Sequence, residues 1–264
     1  MSVYDKEEPA RLEQSLDSIW THQTLRPEQI VVVKDGPLND DLERVLAEWK
    51  SRLGEILTLV SLKKNVGLGL ALNHGLLACR NEMVARMDSD DIALPGRFDK
   101  QIAFILEHEA DVVGSWVTEF DPKSKEIYAI RRVPTDHQTI VSYAKRRNPM
   151  NHPTVVFKKS SVMSVGGYID FPGFEDYDLW VRLLLKGYKL ANVDESLVMM
   201  RGGFEQFQRR RGFSYVRREF LFQKHLLRSG FINITDFALN TSIRLPVRLL
   251  PMSFFRFLHK LSRL

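Results

Sequence analysis

The sequence predicts an α/β fold of the nucleotide-binding type. Short β-rich runs alternate with amphipathic helical stretches through the first half, and acidic residues stand just after two of those runs. No internal repeat or low-complexity segment points to a solenoid. Alternation of this kind implies parallel strands joined by crossover helices. Ligands then bind where the strands end, at the carboxyl edge of the sheet.

Four runs read as strands: Gln29 to Val33 (QIVVV), Ile56 to Leu62 (ILTLVSL), Glu82 to Met87 (EMVARM) and Ala110 to Val117 (ADVVGSWV). Between them, Leu12, Leu16 and Ile19 repeat at helical spacing after Pro9. Leu42, Val45, Leu46, Trp49 and Leu53 do the same, with Asp40 and Asp41 expected to supply capping oxygens. Phe98, Ile102 and Ile105 mark a third helix, with Pro95 expected in its first turn. Beyond Phe120 the pieces shorten. His152 to Phe157 reads as a strand, and Leu179, Trp180, Leu183 and Leu184 line one face of a helix that ends at Gly187.

At 264 residues, with 44% apolar and 27% charged residues, the chain is an ordinary globular protein of one large domain or a domain with an appendage. The lone Cys79 excludes an internal disulfide framework and any thiolate metal cluster. No apolar stretch reaches the roughly 18 residues that span a bilayer, and the N-terminus has no signal-peptide pattern. A cytoplasmic location is expected. Net charge is +5, yet residues 201–264 carry 13 lysines and arginines against 3 carboxylates, so the excess is confined to the last quarter. A basic tail on an acidic body fits an anionic partner. It contains no recognised nucleic-acid-reading motif, so nucleic acid is not an expected partner.

The strongest chemical signal is Asp88-Ser89-Asp90-Asp91, between a strand and the helix after Pro95. Three carboxylates within four residues repel one another unless a cation neutralises them, and such oxygen ligands suit Mg²⁺ or Mn²⁺ on substrate phosphates. The structural alternative is a solvated acidic turn. Asp35-Gly36 is a second acidic strand end, suited to accepting a hydrogen bond from a base N–H, or simply to making a turn. Asn65-Val66-Gly67-Leu68-Gly69, leading towards Asn73, lacks the Lys-Ser/Thr of a P-loop and the spacing of a dinucleotide fingerprint, which disfavours ATPase and dehydrogenase chemistry. In Glu175-Asp176-Tyr177-Asp178, a carboxylate at a helix start suits the helix dipole and equally suits a general base. Asp178 and Arg182, at i,i+4 spacing, read as a helix-surface ion pair.

Taken in order, Ser2-Val3-Tyr4, Asp35-Gly36, the D-x-D of Asp88 and Asp90, and Glu175-Asp176 resemble the family 2 glycosyltransferases of GT-A fold. The run from Arg147 to Thr154, then Gly166-Gly167-Tyr168 and EDYDLW, resembles bacterial members that build surface polysaccharides such as O-antigen, capsule or exopolysaccharide. The resemblance implies a mixed sheet flanked by helices in residues 1–200, followed by a helical basic region in 201–264. It places the donor base, uracil for a UDP-sugar, near Val3, Tyr4 and Asp35. Asp88 would lie by the ribose and metal, Asp90 would ligate Mg²⁺ or Mn²⁺ directly, and Asp176 would deprotonate the acceptor hydroxyl. Asn151, His152 and Glu175 would lie near the acceptor or the leaving diphosphate. For His152 a backbone-satisfied, partly buried imidazole is the structural alternative. Members of the family open with a complete apolar strand before S-V-Y. Met1 falls at the end of that strand, so the first strand reads as truncated.

Phe254, Phe257, Leu258, Leu261 and Leu264 gather on one helical face, opposite Arg256, His259, Lys260 and Arg263. Such a helix lies in a membrane interface or docks on its own domain. With Arg209, Arg210, Arg211, Arg217 and Arg218 upstream, an anionic membrane surface is the expected partner, alongside a nucleotide-sugar donor and a lipid-linked glycan acceptor. The expected activity is inverting sugar transfer at the inner face of the cell membrane. The rivals are a sugar-phosphate nucleotidyltransferase, which needs a basic glycine-rich loop that Asp5-Lys6-Glu7-Glu8 does not supply, and a non-catalytic scaffold of a polysaccharide assembly complex.

Overall fold

A computed structural model describes residues 1–202 and 211–249. The amphipathic segment Phe254 to Leu264, with Arg209 and Arg210, lies outside the described residues. Strands β1 (Ser2–Val3), β2 (Ile30–Lys34) and β3 (Leu57–Ser61) form a parallel sheet in that order. A second sheet runs β4 (Met83–Ala85), β8 (Val156–Lys158), β6 (Val112–Phe120), β9 (Leu190–Arg201), β5 (Ile92–Ala93), with β7 (Ile127–Arg131) also paired to β6. Its β6–β9 pair is parallel and the rest are antiparallel, so the architecture is mixed. A cavity of about 500 Å³, lined by Ile30 and Val31 of β2 and by Met83, Val84 and Ala85 of β4, separates the two sheets.

Helix α1 (Pro9–Trp20) buries Leu12, Leu16 and Ile19, and α2 (Asp40–Leu53) buries all five of its periodic apolar residues against the parallel sheet. The capping of α2 differs from expectation. Asn39 is the cap, its Oδ1 accepting from the Leu42 amide at 3.0 Å, while Asp40 and Asp41 occupy the first turn, where the dipole favours them. Helix α3 (Leu68–Ala78) approaches β2 so closely that a Cβ at Gly75 would lie 2.9 Å from Val33 Cγ2. Helix α4 (Arg97–His108) starts after Gly96, whose φ of 80° breaks the backbone, so Pro95 stands before the helix and not in its first turn.

Then come α5 (His137–Ala144), α6 (Lys159–Ser164) and α7 (Glu175–Leu185). The expected strand from His152 is instead a 3₁₀ turn, His152–Thr154, followed by β8. Pro153 has no amide to give a ladder; the Asn151 side-chain amide donates to Ser115 O at 2.8 Å, and the Thr154 hydroxyl accepts the Ser115 amide at 2.9 Å. Helices α8 (Phe213–Arg228) and α9 (Ile234–Val247) form a hairpin packed on α7. Phe222 is fully buried and stacks on Phe174 with ring centroids 4.5 Å apart. Burial of such a ring contributes about 2–3 kcal/mol. Residues 211–249 therefore share a core with α7, the helix that carries Asp176.

Candidate active site

Two strand ends make the first wall. The Asp35 amide donates to Val3 O at 2.8 Å, tying the ends of β1 and β2 together. Gly36 has φ of 92°, and a Cβ there would sit 2.7 Å from the Asn65 backbone nitrogen. Only glycine lets the strand exit so close to the following loop. The buried Asp35 carboxylate accepts the Val66 amide at 2.7 Å and the Gly67 amide at 3.1 Å. Asp35 thus holds the Asn65–Gly67 turn with both oxygens while keeping further lone pairs. Val3 is fully buried beside it, and Tyr4 is 38% exposed.

The acidic turn follows β4. Carboxylate oxygens of Asp88, Asp90 and Asp91 all lie within 4.8 Å of one another. Asp88 is paired with Arg86, Ser89 Oγ donates to Glu7 at 2.8 Å, and the Arg201 amide donates to Asp91 Oδ1 at 3.0 Å. Asp91 Oδ2 is buried with no hydrogen-bond partner. Burial first, then the Asp88 and Glu7 charges, pushes the Asp90 carboxyl up to about 6, and Asp91 is raised by burial, then by the Asp88 and Asp90 charges. Three converging oxygen donors and an orphaned buried carboxylate oxygen fit a hard divalent cation. A cation held there would compete with the Asp90 proton as the pH falls below about 6. Mn²⁺ affinity, measured calorimetrically, is therefore expected to fall about tenfold from pH 7 to pH 5; a flat profile would show that no carboxylate titrating near 6 binds it.

Beneath the turn, the fully buried Arg97 guanidinium donates to Arg86 O at 2.6 Å and to Gln101 Oε1 at 3.1 Å. Burial, then the Arg86 charge, lowers Arg97 to about 9. The Arg201 side chain ends β9 within electrostatic reach of Asp90 and Asp91.

Glu175 and Asp176 open α7, both half-buried. Asp176 Oδ1 accepts the Tyr177 amide at 2.7 Å, and Oδ2 accepts Asn148 Nδ2 at 2.6 Å. Burial, with a smaller contribution from the Asp176 charge, raises the Glu175 carboxyl. Asp178 is fully buried, not at the surface. It accepts Arg182 Nε at 2.6 Å and lies 2.7 Å from His225 Nε2 of α8. Arg182 also donates to Val165 O and Gly167 O, so this pair anchors the Gly166-Gly167-Tyr168 loop.

That loop joins the halves. The Tyr168 amide donates to Asn73 Oδ1 at 2.8 Å, and Asn73 Nδ2 donates back to Tyr168 O at 2.7 Å. Burial raises the Tyr168 hydroxyl, and a Cβ at Gly69, just beyond the turn that Asp35 holds, would lie 3.3 Å from Glu175 Cβ and 3.5 Å from Tyr168 Cβ, so the start of α7 stands beside that turn. His152 Nε2 is 3.0 Å from the Tyr168 hydroxyl, and burial, then Arg86, keeps its imidazole well below the ordinary value and neutral at pH 7. Asn151 stands in the core. It is buried, its amide donating to Ser115 O at 2.8 Å and Arg131 O at 3.2 Å.

Sequence reasoning missed Glu7, Arg86, Asn148 and Arg201. Arg86 had a visible signal, a lone charge inside an apolar strand. Asn148 had none, since its partner lies 28 residues away.

The model of the family described as "Glycosyl transferase family 2" matches residues 1–165. The chain is 40% identical to the amylovoran biosynthesis glycosyltransferase AmsE of Erwinia amylovora, over 100% of this chain and 97% of that one. It is 37% identical to the UDP-Gal:alpha-D-GlcNAc-diphosphoundecaprenol beta-1,3-galactosyltransferase of Escherichia coli, over 98% and 94%. Among solved structures it is similar to S. aureus TarS 1–349 in complex with UDP-GlcNAc (TM-score 0.66, 16% identity, 91% and 69% covered). It is also similar to the mannosyltransferase PcManGT from Pyrobaculum calidifontis in complex with GDP-Man and Mn2+ (TM-score 0.65, 17% identity, 94% and 70% covered).

Proposed function

The chain belongs to glycosyl transferase family 2, with the GT-A fold, and from that premise we propose that it moves a sugar from a UDP-sugar to a hydroxyl of a lipid-diphosphate-linked saccharide. The observation that carries this reading is the convergence of three carboxylates in the acidic turn, with the start of α7 packed beside the turn that Asp35 holds. Full-length likeness to an exopolysaccharide glycosyltransferase and a diphosphoundecaprenol-directed galactosyltransferase supports the acceptor class.

Val3, Tyr4 and Asp35 hold the base and Asp88 the ribose side of the donor. Asp90, with Asp88, holds Mg²⁺ or Mn²⁺, which when bound supplies the positive charge that offsets the departing diphosphate. Arg201 adds a fixed cation on the same side. Asp176 accepts the proton of the acceptor hydroxyl as its oxygen bonds to the anomeric carbon. The bond from that carbon to the UDP phosphate oxygen breaks, and the electron pair leaves with UDP. Attack opposite the leaving group inverts the centre, so one carboxylate base suffices.

A panel of UDP- and GDP-sugars, offered with a GlcNAc-α-diphosphate-alkyl acceptor and read by mass spectrometry, tests the reading. Transfer from a UDP-sugar is expected. Transfer from GDP-sugars alone, or UDP binding without transfer to any diphosphate-linked acceptor, would sink it. The latter outcome is what a scaffold would give.

Among the described residues no helix is long and apolar enough to cross a membrane. The amphipathic, cationic pattern of Phe254 to Leu264 supports work at the cytoplasmic surface of a membrane. Deleting those residues is expected to abolish sedimentation with phosphatidylglycerol vesicles and leave the melting temperature unchanged. Unchanged sedimentation, or unfolding on deletion, would mean that the face docks on the protein itself.

A further inference from the structure

Helix α5 ends in a stretch whose carbonyls have no partner within the helix, the ordinary condition of a helix C-terminus. Here three in a row are taken by side chains from elsewhere. Ala144 O accepts the Tyr177 hydroxyl at 2.6 Å, Lys145 O accepts Asn240 Nδ2 at 2.8 Å, and Arg146 O accepts Arg244 Nη1. The first donor belongs to α7 and the other two to α9.

Those donors are themselves fixed. Asn240 is buried and also donates to Gln223 Oε1 of α8 at 2.9 Å. Arg244 Nε donates to Glu219 at 2.6 Å, and Arg248 reaches the other oxygen of the same fully buried carboxylate at 3.1 Å. A charge buried to this degree needs its partners, so the hairpin and the end of α5 form one interlocked unit.

Two residues beyond Arg146 stands Asn148. Its Oδ1 accepts the Met150 amide at 3.2 Å, which settles the orientation of the side-chain amide and leaves Nδ2 facing Asp176. The 2.6 Å contact is a charge-assisted hydrogen bond that occupies one lone pair of one carboxylate oxygen.

We propose that Asn148 is a positioning residue for Asp176, and that the α8–α9 hairpin sets its place by gripping the carbonyls of Lys145 and Arg146. The proposal rests on the reading of Asp176 as the base. In this arrangement the basic helical region does more than carry charge: it fixes the aim of the carboxylate through the chain that follows α5. Misplacement of a reacting group by 1 Å costs about 10²-fold in rate.

The test compares Asn148→Ala, Arg244→Lys, the double variant and Asp176→Asn in full-length protein, with UDP-galactose or whichever UDP-sugar the panel selects and the GlcNAc-α-diphosphate-alkyl acceptor. Arg244→Lys keeps a charge beside Glu219 while removing the fork that reaches Arg146 O. Asn148→Ala is expected to lower kcat by about 10- to 100-fold, with donor KM and calorimetric UDP–Mn²⁺ affinity within about twofold of the parent. Arg244→Lys should lower kcat less. The double variant should match Asn148→Ala, because both changes act through one contact.

Parental kcat in Asn148→Ala, a change confined to KM, or multiplying losses in the double variant would overturn the proposal. So would a loss of kcat that tracks a lower melting temperature and disappears on cooling the assay. Full turnover by Asp176→Asn would instead remove the base assignment beneath it, whereas a dead Asp176→Asn beside an intact Asn148→Ala would sink this inference alone.

Discussion

Asp176→Asn is expected to fold, bind UDP with Mn²⁺ as the parent does, and transfer sugar about 10²- to 10⁴-fold more slowly. Asn has the same shape, and its one oxygen can still accept the Tyr177 amide at the start of α7. It has no carboxylate to take a proton. Its NH₂ would also face Asn148 Nδ2, replacing an attractive contact with two opposed donors. Glu175→Gln is expected to cost much less. Burial already raises the Glu175 carboxyl, and Glu175 Oε2 is buried with no hydrogen-bond partner. Turnover of both variants at saturating donor decides the matter. An active Asp176→Asn beside a dead Glu175→Gln would transfer the role to Glu175.

Asp90→Ala is expected to lose Mn²⁺-dependent UDP binding by about 100-fold or more. Disturbing even an outer-shell partner of a metal ligand costs 10- to 100-fold, and this change removes a ligand. Its neighbours already belong to the same three-carboxylate cluster, so neither adds a donor to replace it. Asp88 is paired with Arg86, and Asp91 accepts the Arg201 amide. The variant should keep or gain stability without metal, because it relieves the repulsion and burial that raise the Asp90 carboxyl. Calorimetry with UDP, with and without Mn²⁺, reads the effect. Parental affinity in Asp90→Ala would remove Asp90 from the metal site.

The regular elements of the first half were legible because period-two and period-3.6 patterns report which face is buried. The β2 run and the faces of α1 and α2 appear within a residue of their expected places. The errors lie at ends and turns. Asn39, not Asp40, caps α2, and Pro153 turns the expected strand at His152 into a 3₁₀ turn. These outcomes depend on a single hydrogen bond or a missing donor, to which periodicity is blind.

The chemistry divides in the same way. Carboxylates adjacent in sequence must be adjacent in space, so Asp88, Asp90 and Asp91 were readable as a cluster from residue type and spacing alone. The four ordered motifs determined the family for the same reason: each is a local strand or helix end with its own chemistry. What lies between them was left to the tertiary structure. Only the fold tied Tyr168 to Asn73 and His152, buried Asp178 against His225, drew Asn151 into the core, and closed the α5 terminus with side chains from α9. Those contacts join residues tens of positions apart. Their geometry follows from how two sheets and a helical hairpin pack, and no spacing along the chain encodes that.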